Sequence, residues 1–137
     1  MPKLIHQLTE GQIQQLVLLY QQEWWCKARV LPDVKQMLGN CSMLFALVEG
    51  EELVGFTRVL SDFVYKALIL DVIIARPYRG KGWGQSLMQQ VIDHPRLQST
   101  HHLELYCLPE MEPFYKTFGF QTQAKEANLL FMRLTRA

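Results

Sequence analysis

A long apolar run that leads into a glycine-rich turn constrains this chain more than any other sequence feature. Residues 67–75 are apolar except for Asp71, and such a run of Leu, Ile and Val predicts a central strand that is buried on both faces. Three glycines at alternate positions follow within residues 79–84, and a helical spacing of apolar residues then continues to about Asp93. A strand, a bare turn and a helix in this order are typical of a mixed α/β fold.

The glycine-rich turn has the properties of an anion site. Glycine has no Cβ, so several backbone N–H groups can point at one anion, and the following helix N-terminus adds about half a positive charge. Arg76, Arg79 and Lys81 place three cations nearby. A Walker A loop would need Ser or Thr where Gly82 stands, and a dinucleotide fingerprint would need its third glycine where Gln85 stands. The segment therefore predicts either a phosphate or pyrophosphate ligand held in another way or a glycine-rich turn without a ligand, and a nucleotide-binding protein is the weaker alternative.

Composition bounds the class of protein. The chain has 137 residues, of which 49% are hydrophobic and 20% charged, and 14 Lys and Arg against 13 Asp and Glu give a net charge of +1. This length suits a single domain over residues 1–137, and the neutral balance argues against a nucleic-acid partner. The longest apolar run is much shorter than the roughly 20 residues of a membrane-spanning helix, so no membrane partner is expected. Three cysteines without a CxxC pair and a polar N-terminus predict a cytoplasmic protein with free thiols.

The remaining pattern predicts further strands and helices on both sides of the glycine turn. Thr9 and Gln12 have the spacing of a capping box at the start of a helix, and Pro32 suits the first turn of a second helix. The pair Gly50 and Glu51 separates two apolar runs as a hairpin turn does. The predicted strands cover residues 4–7, 43–49, 53–60, 67–75, 102–106 and 129–133, and the predicted helices cover residues 9–24, 31–38, 85–93 and 113–119.

Two motifs resemble those of the Gcn5-related N-acetyltransferase (GNAT) superfamily. Arg79-x-x-Gly82-x-Gly84 matches the family's Q/R-x-x-G-x-G/A motif, and residues 114–120 are similar to its Y-x-x-x-G-F segment. Residues 71–78 look like the family's fourth strand and its exit. The resemblance extends over the order of elements and implies the GNAT fold: a central mixed, mostly antiparallel twisted sheet of six to seven strands, flanked by about four helices, with strands 4 and 5 splayed apart.

The resemblance implies an N-acetyltransferase that uses acetyl-CoA. In this family the loop amides hold the pyrophosphate, and pantetheine lies in the gap between the splayed strands. A bulge in the fourth strand would free N–H groups to stabilise the thioester oxyanion. The implied cofactor-binding residues are Val72, Ile73, Ile74, Arg79, Gly80, Lys81, Gly82, Trp83, Gly84 and Gln85.

The resemblance also implies catalytic roles. Tyr115 aligns with the general acid of the family, and a phenol stays protonated at neutral pH because its ordinary pKa is about 10; its alternative role is that of a core aromatic. Asp71 and Glu104 are candidates for the base that takes a proton from the amine. Asp71 suits a structural hydrogen-bond acceptor equally well, because a carboxylate in an apolar strand needs a partner. Glu104 also suits the solvent face of a half-buried strand.

The acceptor is expected to be a primary amine of a small molecule or peptide that attacks the thioester directly. Tryptophan and tyrosine can hold an ammonium group, whereas an arginine could hold a carboxylate of the acceptor; helix packing is the alternative role of the tryptophans. The candidate acceptor-binding residues are Trp24, Trp25, Arg58 and Tyr65.

Three further expectations concern a metal site, the oligomeric state and an alternative to an enzyme. His101 and His102 would point to opposite faces of a strand, so no metal site is expected. A homodimer is compatible with the family. The alternative to an enzyme is a catalytically silent module that binds acyl-CoA on the same fold.

Overall fold

Successive hairpins build the sheet that carries the glycine turn. The computed structural model describes residues 2–123 and 128–136. The chain divides into two compact units, residues 1–105 and residues 106–137. Within the described residues the sheet has five strands in the order β1-β2-β3-β4-β5, of which the first four pair antiparallel and the last pairs parallel. The strands are β1 (Lys3–Ile5), β2 (Met43–Glu49), β3 (Glu52–Ser61), β4 (Lys66–Ile74) and β5 (His102–Leu105).

Helices of the first unit follow local signals in the sequence. The capping box at Thr9 is formed in both directions, since its side chain accepts from the Gln12 amide and the Gln12 side chain accepts from the Thr9 amide. Pro32 lies in the first turn of the second helix, and Gly82 caps the third. The first unit has α1 (Glu10–Tyr20), α2 (Leu31–Asn40) and α3 (Trp83–Ile92), and the second unit has the short α4 (Glu112–Lys116).

One face of the sheet and the first two helices form the main core. Leu16 and Tyr20 of α1 and Val34 of α2 are buried against Phe56 of β3 and Ile73 of β4. Burial of side chains this large, at roughly 1.5–3 kcal/mol each, supplies most of the stabilisation of such a layer. The sheet and these helices therefore hold the end of β4 firmly, and that end leads into the glycine turn.

β4 contains a bulge at Asp71, the only charged residue of the apolar run. Between the pairs made by Phe56 and Arg58, one residue of β3, Thr57, lies opposite both Asp71 and Val72 of β4. Asp71 has a φ of 57°, a left-handed conformation that costs a non-glycine residue roughly 1 kcal/mol or more. The buried Thr57 hydroxyl donates a 2.8 Å hydrogen bond to the carbonyl that precedes Asp71. The bulge expected in the fourth strand is thus present.

The pairing of β4 with β5 ends halfway along β4. The parallel register runs from Lys66 opposite His102 to Ile69 opposite Leu105. From residue 70 to residue 74, that edge of β4 has no strand partner in the part of the chain that the structure describes. This pairing ends with β5 itself and agrees with the separation expected for strands 4 and 5; on that edge the main-chain groups of the bulge region form no strand ladder with the described residues.

The structure corrects three expectations about strands, of which the first is their number: the described residues form one sheet of five strands, whereas six to seven were expected. Residues 129–133 were expected to form a last strand, but they lie in no strand, and their large apolar side chains are exposed. An apolar run forms a strand only when its backbone N–H and C=O groups bond to a neighbouring strand, and none of the described residues forms such a strand beside it. β4 alternates buried with half-buried residues and is not fully buried on both faces. Whether residues 1–137 act as one domain stays a prediction.

Candidate active site

The glycine turn is open at the N-terminus of α3. Gly80 and Gly82 have φ values of 80° and 83°, which L side chains rarely adopt. A Cβ placed on either residue would meet no atom within 4 Å. α3 has ten residues, so the positive end of its dipole lies at this opening. The geometry fits the anion-binding loop that the sequence predicts.

Lys81 is the cation beside this opening. Its Nζ lies 5.7 Å from the ring centroid of Tyr78 and 5.8 Å from that of Trp83. The two rings stack with centroids 5.1 Å apart. Because cation–π contacts of an exposed lysine are weak, on the order of 0.5–1 kcal/mol, Lys81 can turn toward an anion at little cost.

The two arginines of the segment hold the connection between α1 and α2. The Arg79 Nε donates to the Ile74 carbonyl at 2.9 Å, and its Nη2 pairs with the Glu23 carboxylate. The Arg76 Nη2 donates to the Gln22 carbonyl at 2.6 Å. Arg79, which the family motif places at the cofactor, therefore also joins the end of β4 to the chain that follows α1.

Asp71 forms the centre of a buried ionic network. Its side chain is 4% exposed. Oδ2 accepts hydrogen bonds from Arg58 Nε at 2.6 Å, Arg29 Nη1 at 2.7 Å and the Tyr20 hydroxyl at 2.9 Å, and Oδ1 accepts from Arg29 Nη2 at 3.3 Å. One carboxylate thus lies between two guanidinium groups, and the arginine donors come from β3 and from the connection between α1 and α2.

The environment of Asp71 keeps it ionised. Burial alone would raise the pKa of this carboxyl, but the hydrogen bonds and charges of Arg29 and Arg58 outweigh burial and hold its pKa below the ordinary value. Burial, followed by the Asp71 charge, raises the pKa of Tyr20 well above its ordinary value. A carboxylate with a depressed pKa is a poor proton acceptor at neutral pH. Of the two roles open to Asp71, the geometry favours the structural acceptor over the base.

Arg29 is the partner that the sequence reasoning missed. It lies 42 positions from Asp71 in a connection without regular secondary structure, so no local spacing relates the two. Its guanidinium carbon lies 4.6 Å from the Tyr20 ring centroid and 5.7 Å from that of Trp25. The lone carboxylate in an apolar strand was the available signal, because it required a cation somewhere in the chain.

Glu104 and Tyr65 lie together at the other end of β4. The Lys66 Nζ donates to both carboxylate oxygens of Glu104, at 3.0 and 3.2 Å, and both side chains are exposed. The exposed Tyr65 ring packs edge-on against His101. This is the solvent-face arrangement that was the alternative role for Glu104.

Of the other candidate acceptor-binding residues, two are part of the Asp71 network or contact it. Trp25 is 41% exposed and reaches the network through Arg29, whereas Trp24 is exposed in the same connection. Arg58 belongs to the network directly. The structure therefore joins Arg58 and Trp25 through Arg29 and Asp71, and it places Tyr65 at the turn between β3 and β4.

Tyr115 belongs to the second unit. It lies in α4, is 8% exposed, and its ring meets those of Phe114 and Phe120 edge-on. Burial, followed by the charge of a Cys107 thiolate, raises the pKa of Tyr115 to about 12. The phenol is therefore neutral across the physiological range, which both of its expected roles require.

In residues 2–123 and 128–136, no three His, Cys, Asp or Glu side chains come together as a set of metal ligands. No helix in this part of the chain is long and apolar enough to cross a membrane.

Comparison with known proteins establishes the family. Residues 10–120 match the family model described as Acetyltransferase (GNAT) family, so the chain belongs to the GNAT acetyltransferases, and the resemblance seen in the sequence is confirmed. A crystal structure from Xanthomonas campestris pv. campestris, of a chain assigned to the GNAT family, superposes with a TM-score of 0.79 at 26% identity and covers 98% of this chain and 95% of that one.

Two curated relatives show how far the similarity extends. The chain is 35% identical over 100 residues to the uncharacterized N-acetyltransferase ycf52 of Pyropia yezoensis, which covers 70% of this chain and 57% of that protein. It is 30% identical over 67 residues to serotonin N-acetyltransferase 2, chloroplastic, of Oryza sativa subsp. japonica. The aligned segment covers 49% of this chain and 34% of that protein. The chain thus spans little more than half the length of the first of these relatives.

The Asp71 network predicts a large and pH-dependent loss of stability in Asp71→Asn. Removing the charge leaves Arg29 and Arg58 partly buried without their counter-ion, which should lower the free energy of unfolding by about 2–4 kcal/mol. The folded-state pKa of Asp71 lies below its unfolded value, so this contribution is full above about pH 4 and falls as the pH drops further. Urea denaturation of both proteins at pH 7 and at pH 3.5 measures it.

Glu104→Gln is the matched control for this prediction. It breaks an exposed pair, with Lys66 63% and Glu104 47% exposed, and should change stability by no more than about 0.5 kcal/mol. A stability of Asp71→Asn within that same range would contradict the account of a buried ionic network.

Proposed function

We propose that this chain is an N-acetyltransferase that moves the acetyl group of acetyl-CoA to a primary amine by direct attack. The observation that carries the proposal is the presence, in one unit, of an open glycine turn at a helix N-terminus and a bulged strand with an unpaired edge. The first suits a pyrophosphate and the second suits an extended amide chain that ends in a thioester. Membership of the GNAT family supports the same reaction, and the name of the rice relative, which specifies serotonin, supports an amine acceptor.

The residues present fit acetyl-CoA. The positions of Gly80 and Gly82 have open space where a side chain would otherwise stand, so the amides of residues 80–85 can approach the pyrophosphate, and Lys81 adds a positive charge. The free edge of Val72, Ile73 and Ile74 can pair with the pantetheine amides as a strand would. When bound, acetyl-CoA supplies the activated acetyl group.

Main-chain groups at the bulge can stabilise charge on the reacting carbonyl. Thr57 lies opposite two residues, so regular pairing with β3 is interrupted at Asp71 and Val72. An N–H group held by a rigid bulge can donate to a developing oxyanion without reorganising first. The ionic network that fixes Asp71 therefore also orients this donor region.

Proton movements are assigned to Tyr115 and to solvent. Asp71 is held ionised by two arginines, and Glu104 binds Lys66 in the open, so we assign to water the proton that the acceptor ammonium loses before the neutral amine attacks. Tyr115 enters through its sequence motif as the donor to the departing thiolate. Its phenol, with a pKa of about 12, is the weaker acid beside a thiol of about 8.5, so it stabilises the thiolate chiefly by hydrogen bonding.

A catalytically silent acyl-CoA-binding module is the alternative function. It predicts acetyl-CoA binding without thiol release in the presence of any amine. A cytoplasmic location and a homodimer stay predictions.

The open turn predicts a selective loss of cofactor affinity in Gly82→Ala. A methyl group there would occupy the open face that the pyrophosphate needs, and we expect acetyl-CoA to bind roughly 10-fold or more weakly by calorimetry, since even one lost charge-assisted hydrogen bond has this effect. Acetylpantetheine, which lacks the pyrophosphate, should bind both proteins equally.

Gly50→Ala is the matched control for the glycine turn. Gly50 has a φ of 62° and equally open space around its Cβ position, but it lies in the hairpin between β2 and β3. This variant should carry the same backbone strain with unchanged acetyl-CoA affinity. Equal losses of affinity in Gly82→Ala and Gly50→Ala would reject the turn as the pyrophosphate site.

The assignment of Tyr115 predicts slow turnover in Tyr115→Phe. Loss of the hydroxyl should lower kcat roughly 10²-fold with little change in acetyl-CoA affinity. Because the pKa of Tyr115 is about 12, the ratio of wild-type to variant kcat should stay constant from about pH 6 to pH 10. Tyr106→Phe, at an exposed tyrosine of the same unit, is the control, and an unchanged kcat in Tyr115→Phe would remove the donor role.

A further inference from the structure

The buried network of Asp71, Arg29 and Arg58 has one more positive charge than negative charges. Two guanidinium groups and one carboxylate meet at Asp71, so their sum is +1. The Tyr20 hydroxyl in the same cluster is neutral, because burial raises its pKa. A net positive charge in a largely desolvated place attracts an anion far more strongly than an exposed one does.

Arg29 and Arg58 differ in how many of their donors are occupied. Arg29 uses both terminal nitrogens on Asp71 and lies over the rings of Tyr20 and Trp25. Arg58 uses only Nε on Asp71, and no acceptor for its two terminal nitrogens occurs among the residues that the structure describes. These donors belong to a side chain that is only 13% exposed.

The free end of Arg58 also remains reachable. Neither of its terminal nitrogens is among the fully enclosed, unpartnered polar atoms of the described residues. The Arg58 Nε is held by Asp71, and its two terminal nitrogens are not fully enclosed, so they form a planar pair of N–H donors of the kind that binds a carboxylate through two parallel hydrogen bonds.

The position of Arg58 connects this donor pair with the reaction. Arg58 of β3 lies beside the bulge in β4 and binds the bulge residue Asp71 at 2.6 Å. An anion on Arg58 would therefore lie one side chain away from the main-chain groups to which we assign the reacting carbonyl. The half-exposed Trp25 ring and the Met37 thioether, which contacts Arg29 and Tyr20, add apolar surface to the same cluster.

We propose that the acceptor is a primary amine that also carries a carboxylate, namely a free amino acid with an apolar side chain, and that Arg58 binds this carboxylate. The inference rests on the function proposed above and specifies its substrate class. Arg58 is the specificity-determining residue, and Asp71 orients its guanidinium group. Amines without an anionic group meet the uncompensated positive charge and are poor acceptors.

Matched pairs of acceptors test this in the wild-type chain. Tryptophan and tryptamine, phenylalanine and phenethylamine, and leucine and isoamylamine differ only by the carboxylate. With thiol release from acetyl-CoA as the readout, and with rates corrected for the fraction of neutral amine, kcat/KM should be roughly 10- to 100-fold higher for the amino acid of at least one pair. Equal or higher kcat/KM for the decarboxylated amines would overturn the proposal while leaving the acetyltransferase function intact.

Arg58→Gln tests the residue itself, with Arg58→Lys as the control. The glutamine variant should abolish the preference within each pair, mainly by raising KM for the amino acid relative to KM for its decarboxylated partner. The lysine variant keeps the charge without the fork and should retain part of the preference. A preference that survives in Arg58→Gln would assign it to another residue and overturn the proposal.

Competition in the wild-type chain covers the case in which Arg58→Gln does not fold. Indole-3-propionate, which has the carboxylate but no amine, should compete with tryptophan at least roughly 10-fold better than its uncharged amide does. Equal inhibition by the acid and the amide would overturn the proposal. If acetyl-CoA binds but no amine of either kind is acetylated, the proposed function itself fails, and this inference fails with it.

Discussion

The double ion pair of Asp71 is the interaction on which the rest of this structure depends. A carboxylate in the most apolar strand would be costly by several kcal/mol if it stood alone. Arg29 and Arg58 offset that cost with direct hydrogen bonds, and Tyr20 adds a third donor. The same contacts hold Asp71 in its left-handed conformation, so the bulge in β4 persists because its side chain is fixed from three directions.

This network and the glycine turn meet in the connection between α1 and α2. Arg29 of that connection binds Asp71, while Glu23 and the Gln22 carbonyl bind Arg79 and Arg76 beside the turn. Both ends of the second half of β4 are thus bound to one short segment. A ligand that draws Arg79 toward its phosphates would compete with Glu23, and the energy of that exchange would be felt where the acceptor is proposed to bind.

The sequence predicts those features that depend on neighbours along the chain. The capping box at Thr9 and the glycine turn both follow from spacing, and the structure has them. The partners of Asp71 could not be predicted, because Arg29 is 42 positions away and several arginines could have served. The resemblance to the GNAT family made Asp71 a candidate base, whereas its two arginine partners hold it as a fixed anion. The prediction of a strand at residues 129–133 was wrong, because a strand also needs a pairing partner that the segment itself does not encode.

The ionisation of Asp71 in the folded chain tests this account most directly. Carbon-detected NMR of the aspartate carboxyl groups, assigned through Asp71→Asn, would follow its titration from pH 8 down to the onset of acid unfolding. The account predicts that Asp71 stays ionised to below the ordinary aspartate pKa of about 3.9. A titration midpoint above that value would show that the two arginines do not control this carboxylate, and it would return Asp71 to consideration as the base.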